Sequence, residues 1–144
     1  MRERYFDDNE QITKDVVTYW IDVVQADLGK FTDIDLVRLN LFKLRDADML
    51  RYFSLENTGI FAYIISNDFL GHKCLSELMF YIRPEDRGNI KLVRKYIHRA
   101  ETIAKDRNCK HIKIGANIGY NDAGFIALLK RFGYVDDTLS KAIN

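Results

Sequence analysis

The chain has 144 residues, 47% hydrophobic and 30% charged, with 22 basic against 21 acidic side chains. That length suits one domain with its own core, and the composition excludes a disordered polymer. A net charge of +1 argues against a general nucleic-acid-binding surface, two cysteines are too few for a disulfide scaffold, and no apolar run approaches the roughly 18 residues of a membrane span. No signal-peptide pattern precedes Cys74 or Cys109, so a reducing, cytoplasmic location is the default expectation. His72, His98 and His111 are scattered and neither cysteine has a neighbour at ligand spacing, so no metal site is expected.

Residues 1–8 read either as a short first strand around Arg4, Tyr5 and Phe6 or as a loose arm. Ile12, Val16, Tyr19, Trp20, Val23 and Val24 recur at spacings of three and four, which predicts an amphipathic helix ended by Gly29. Core packing explains that face, and a substrate pocket walled by Trp20 and Tyr19 is the alternative. Thr32 or Asp33 can cap a second helix running to about Arg45, with Ile34, Val37, Leu41 and Leu44 on one stripe. Two strands follow, Leu50–Leu55 and Ile60–Ile65, around the hairpin residues Glu56-Asn57-Thr58-Gly59. Residues 66–73 then form a polar loop.

The stretch from Ser76 to Leu92 carries the most information. Glu77 to Ile82 is a buried strand by composition, closed by the chain's only proline, Pro84. The polar turn from Glu85 to Asn89 contains Gly88 and leads into a helix over 90–106, whose Val93, Tyr96, Ile97, Ala100, Ile103 and Ala104 share a face. A strand running through a glycine-bearing turn into a helix leaves first-turn N–H groups unpaired, which suits an anion. His111–Ile118 alternates as a strand, so the crossover helix makes it parallel to the strand before it. Gly119 and Asn121-Asp122 break that strand and cap a helix from Ala123 to Arg131, Gly133 ends it, and Tyr134–Ile143 reads as a last strand.

The strand, the turn with Pro84, Arg87 and Gly88, the helix, then Gly119-Tyr120-Asn121-Asp122 and Phe132-Gly133-Tyr134 resemble the GCN5-related N-acetyltransferase family. The resemblance covers roughly residues 60–144, and the wording around residues 69–88 looks like the compact acetyltransferases encoded by bacteriophages. It implies a single α/β (α+β) domain over 1–144: a mixed sheet of antiparallel strands with a central parallel pair splayed apart, flanked by about four helices. Residues 12–45 would then lie over the acceptor. Acetyl-CoA is the implied donor, extended in the slot between the splayed strands. The phosphates would be held at Arg87, Gly88, Asn89, Ile90, Lys91 and Leu92, with charge from Arg87, Lys91 or Arg94, and Ile82 and Asn121 join the donor contacts. Glu77 stands near the family's catalytic glutamate, an edge-facing or salt-bridged carboxylate being the plain alternative, and Asp68 is a second candidate base. The family's acid is a tyrosine four residues before the glycine of the Gly-Phe/Tyr pair, a position held here by Leu129; Tyr120 or Tyr134 would have to replace it.

Two functions compete. One is transfer of acetyl from acetyl-CoA to an amine of a small molecule or protein. The other is a catalytically silent interaction or structural module binding a host or particle component, suggested by Ile90 and Leu92 where the family has small residues and by Leu129. A nucleic-acid-reading helix from Lys91 to Lys105 lacks any reading motif, no membrane partner is expected, and a free edge at the last strand would permit a homodimer.

Overall fold

Thr13 opens the first helix, α1 (Lys14–Leu28), by accepting the N–H of Val16, and Gly29 closes it at φ 58°, a left-handed conformation that suits glycine. The Gln25 side chain grips both backbone groups of Phe31, which turns the chain into α2 (Ile34–Asp46), capped by Asp33. Arg45 on α2 reaches back to the carbonyl of Ile12 and ties the two helices at their open end. These contacts belong to a computed structural model that describes residues 12–115, 122–136 and 141–143.

Three antiparallel strands follow, β1 (Arg51–Phe53), β2 (Gly59–Asn67) and β3 (Lys73–Ile82). The β1–β2 turn takes Glu56 and Asn57 to φ 48° and 59°, the backbone shape of a tight two-residue hairpin. Gly59 is needed next to it, because a Cβ there would run into the Tyr81 carbonyl of the neighbouring strand. Tyr96 secures the turn from below, its hydroxyl accepting the Leu55 N–H at 3.1 Å and lying 2.9 Å from the Thr58 hydroxyl. A single 3-10 turn, Pro84–Asp86, leads to α3 (Ile90–Asp106), which crosses back to β4 (His111–Lys113), parallel to β3. The last helix is α4 (Asp122–Arg131). The sheet order is β1-β2-β3-β4.

The alternating strand pattern gives the sheet two apolar faces, each covered by helices. Ile60, Ala62, Met79 and Tyr81 face α1 and α2, meeting Val17, Trp20, Ile21 and Val24. Phe53, Phe61, Tyr63 and Leu75 face α3, meeting Tyr96, Ala100, Ile103 and Ala104. Phe125 on α4 packs edge-on against Phe80 on this second side. Each fully buried large side chain contributes roughly 1.5–3 kcal/mol, so neither layer is dispensable.

Three expectations shift. The apolar stripe of α1 is wide, and the sheet takes its centre at Val17 and Ile21; Val16 and Val23 lie on the flanks and Tyr19 is 47% exposed. The parallel strand ends at Lys113, well short of Ile118. Of the last strand expected over Tyr134–Ile143, the described residues 134–136 and 141–143 are not in a strand, the Tyr134 N–H instead closing the end of α4 on the Leu129 carbonyl, and 137–140 lie outside the described residues. The expected first strand at Arg4–Phe6 and residues 116–121 lie outside the described residues.

Candidate active site

The parallel pairing of β3 and β4 lasts for three residue pairs, ending at Ser76 opposite Lys113. Beyond it β3 continues to Ile82 with no further partner on that side among the described residues, and the register of β3 against β2 slips close by. Ala62 faces Met79 and Tyr63 faces Glu77, so Leu78 is an extra, unpaired residue, a β-bulge. The bulge rotates the strand. Leu75 and Glu77 lie on the α3 side of the sheet, whereas Met79 and Tyr81 face the α1 side.

Glu77 is therefore the first residue past the point where the two strands part. Its residue is only partly covered, yet both carboxylate oxygens are shielded from water, and no side-chain donor among the described residues reaches them. Burial pushes its pKa up from 4.5 to about 8, against a smaller lowering by the nearby Gly115 N–H. A carboxylate shielded from water, just past the last β3–β4 pair, is of the kind that can exchange a proton with a bound molecule.

The far end of β3 feeds the turn before α3. Gly88 has φ 83°, with open space where a Cβ would stand. Asn89 caps α3 by accepting the Leu92 N–H, and the N–H groups of Asn89, Ile90 and Lys91 have no acceptor among the described residues. Three free donors at a helix start make an anion-binding end. Lys91 is exposed beside them.

Arg87 makes an ion pair with Asp27 near the end of α1 and lies over the Tyr81 ring at 5.3 Å. Tyr81 donates its hydroxyl to the same carboxylate at 2.9 Å. The hydrogen bond from Arg87, joined by that of Tyr81, holds the Asp27 carboxyl below the usual range against the opposing effect of burial. Arg83 is anchored similarly: it bonds the Asn57 carbonyl and the Tyr19 hydroxyl and lies 4.7 Å over Trp20. Both arginines strap the turn to α1.

No family model and no curated protein matches the sequence. Solved structures do match in shape. A GCN5-related N-acetyltransferase from Ralstonia eutropha superimposes with TM-score 0.72 at 16% identity, covering 99% of this chain and 97% of that one. A predicted acetyltransferase from Clostridium acetobutylicum, solved with acetyl-CoA, gives 0.69 at 14% identity over 99% and 96%. AAC(6')-Iy in complex with a bisubstrate analog, CoA-S-monomethyl-acetylneamine, gives 0.69 at 11% identity over 100% and 98%. This chain has the fold of the GCN5-related N-acetyltransferases.

Within that acetyltransferase fold, the candidate residues fall into two groups about one strand apart. Glu77 sits at the parting of β3 and β4; Ile82, Arg87, Gly88, Asn89, Ile90, Lys91 and Leu92 gather where β3 hands over to α3. Leu92, in one of the fold's small-residue positions, packs its side chain down against the second core, leaving Ile90, 53% exposed, as the bulky group at the turn. Leu129, the residue expected at the acid's position, is a buried leucine. The Tyr134 hydroxyl donates to Glu101 on α3 at 3.0 Å and burial raises its pKa, so it is engaged elsewhere. Tyr120 and Asn121 lie outside the described residues. Asp68 accepts the N–H groups of Leu70 and His72 within its own loop, and the His72 N–H above all lowers its pKa. Cys109 packs against the second core, and burial raises its pKa, as befits a structural thiol.

Asp27 and Tyr81 escaped the sequence reading. Tyr81 read only as part of the apolar strand Glu77–Ile82 and Asp27 was not singled out; 54 residues separate them and no local signal pairs them.

Proposed function

We propose that this protein is an acyl-CoA-dependent N-acetyltransferase that moves acetyl from acetyl-CoA to an amine of a small molecule or protein. The observation that carries the reading is the water-shielded carboxylate of Glu77 where the β3–β4 pairing ends, its pKa pushed up to about 8 by burial. A base for an ammonium works best with a pKa near the working pH, and an ordinary carboxylate is too acidic to serve.

The residues present suit the donor. The three free N–H groups at the start of α3 and the Lys91 ammonium would hold the pyrophosphate, with Gly88 supplying the turn that no side chain obstructs. The edge of β3 beyond Ser76, unpaired among the described residues, would offer backbone groups to the extended arm. The thioester would then lie beside Glu77. In the transfer, Glu77 takes a proton from the ammonium, the amine nitrogen attacks the thioester carbonyl, and the bond to sulfur breaks as the thiolate leaves with a proton. The backbone N–H at the Leu78 bulge, where the β2–β3 register shifts, would serve the developing oxyanion. Tyr120 is the candidate for the proton returned to sulfur. The acceptor would enter over α1 and α2.

Calorimetric titration with acetyl-CoA tests the donor half, and the absence of heat at saturating donor would leave a silent interaction module. Glu77→Gln tests the chemical half. Turnover should fall about a hundredfold or more while donor affinity stays within a factor of a few; an equal loss of both would remove Glu77 from the base role.

A further inference from the structure

The loop between β2 and β3 stands apart from the site just described, at the end of β3 away from Gly88. Asp68 closes it tightly. Its N–H bonds the His72 carbonyl at 2.8 Å, its carbonyl accepts from Gly71, and one carboxylate oxygen accepts from Leu70 at 2.9 Å and His72 at 2.8 Å. Gly71 takes the left-handed conformation at φ 85° that lets the chain return. The five-residue loop is thus built to a definite shape, and it holds its two large apolar side chains outward: Phe69 is 102% exposed and Leu70 74%.

Around this tip the surface is basic. Lys73 begins β3, and the Lys110 N–H bonds the Lys73 carbonyl at 2.7 Å, which sets Lys110 beside it. His72 and His111 bring their rings to 5.3 Å. Lys113 is close enough for its charge to help lower the Asp68 pKa. All three lysines are exposed, and Asp68 turns one carboxylate oxygen onto the loop's own N–H groups and the other toward the His72 ring at 3.6 Å. With a net charge of only +1 overall, this is a local concentration of positive charge.

We propose that the Phe69–Leu70 tip and its collar of Lys73, Lys110 and Lys113 form a docking surface for an anionic lipid membrane, with the two apolar side chains entering the headgroup boundary and the lysines meeting the phosphates. Membrane chemistry fits better than a protein partner on two counts. The tip is convex and offers two side chains, well under half of the ~800 Å² per partner that a stable protein interface buries. A pair of apolar residues beside a lysine cluster is the combination that gives weak, reversible and charge-dependent adsorption to a bilayer surface. No helix among the described residues is long and apolar enough to cross a membrane, so the attachment is peripheral.

The test is co-sedimentation of the full chain with phosphatidylcholine vesicles, with and without phosphatidylserine, at low salt. Binding should require phosphatidylserine and be reversed by added salt. Phe69→Ser should weaken it about tenfold, and Lys110→Gln and Lys113→Gln about fivefold each. Circular dichroism should show every variant folded, because the altered side chains are exposed. As a second measurement, Phe69→Trp should shift its fluorescence to shorter wavelength when phosphatidylserine vesicles are added. The proposal is overturned by absence of binding to those vesicles, by equal binding of Phe69→Ser, or by a fall in molecular mass of Phe69→Ser in analytical centrifugation, which would mean that the tip is buried against a second copy.

Discussion

Glu77 combines two effects that a single substitution separates. Its folded pKa near 8 lies above the ordinary 4.5, so the native state binds a proton more tightly than the unfolded chain does. The fold therefore loses stability as pH rises from about 4.5 to about 8, and above that the full penalty of a shielded charge remains. Glu77→Gln removes the titration. Its unfolding midpoint should exceed the wild type's by a margin that widens between about pH 5 and about pH 9, reaching a few kcal/mol of stability; a constant margin in thermal melts would show that the carboxyl titrates normally. Activity should follow the opposite course, with kcat/KM climbing through about pH 8 as the base form appears. The sequence showed that a carboxylate in an apolar strand was out of place. It could not show which face Glu77 occupies, because the bulge at Leu78 inverts the alternation from Met79 onward.

At the scale of elements, the turn between β3 and α3 is held from two directions. Gly88 supplies the left-handed bend, and Arg87 and Tyr81 meet on Asp27 to fasten the bend to α1. A β-branched residue at φ 83° is strained by about 1–2 kcal/mol and shifts the N–H groups that follow it. Gly88→Val should therefore weaken acetyl-CoA binding more than about tenfold in calorimetry while the chain stays folded; unchanged affinity would place the donor elsewhere. Asp27→Asn exchanges a charged acceptor for a neutral one without changing shape. We expect it to raise KM for acetyl-CoA about threefold to tenfold with kcat little altered, and Asp27→Glu to restore part of the loss. Matching falls in kcat for both variants would argue that Asp27 acts on the acceptor side. The strand, the glycine turn and the helix were each legible from residue types, since these are local preferences. The strap was not, because Asp27 and Arg87 are joined by folding alone.

On the scale of the whole molecule, one sheet carries two apolar layers, and apart from the Leu78 bulge the strand residues of one layer alternate with those of the other. Removing atoms from either layer should therefore destabilise both. Ile103→Ala, in the layer under α3, should cost about 2–5 kcal/mol and lower the denaturation midpoint reported by Trp20 in the opposite layer as much as the midpoint of far-ultraviolet circular dichroism. Two separate transitions would show that the layers fold independently. The same architecture makes the site: a sheet covered on both faces shields the Glu77 oxygens, and the parting of β3 from β4 leaves that shielded carboxyl beside a gap.

The residue pattern alone determined the order of helices and strands, the hairpin at Glu56-Asn57, the parallel crossover and the glycine turn at Gly88, because capping, alternation and left-handed bends act over a few residues. It also marked Glu77 as anomalous and Ile90 and Leu92 as departures from the acetyltransferase pattern. Only the tertiary structure decided what those anomalies mean. Leu92 turns into the core, Arg87 is paired with Asp27, Tyr134 is held by Glu101, and Glu77 stands shielded where two strands separate. Each of these depends on groups brought together from distant parts of the chain, and burial and charge pairing are properties of that assembly that no single stretch contains.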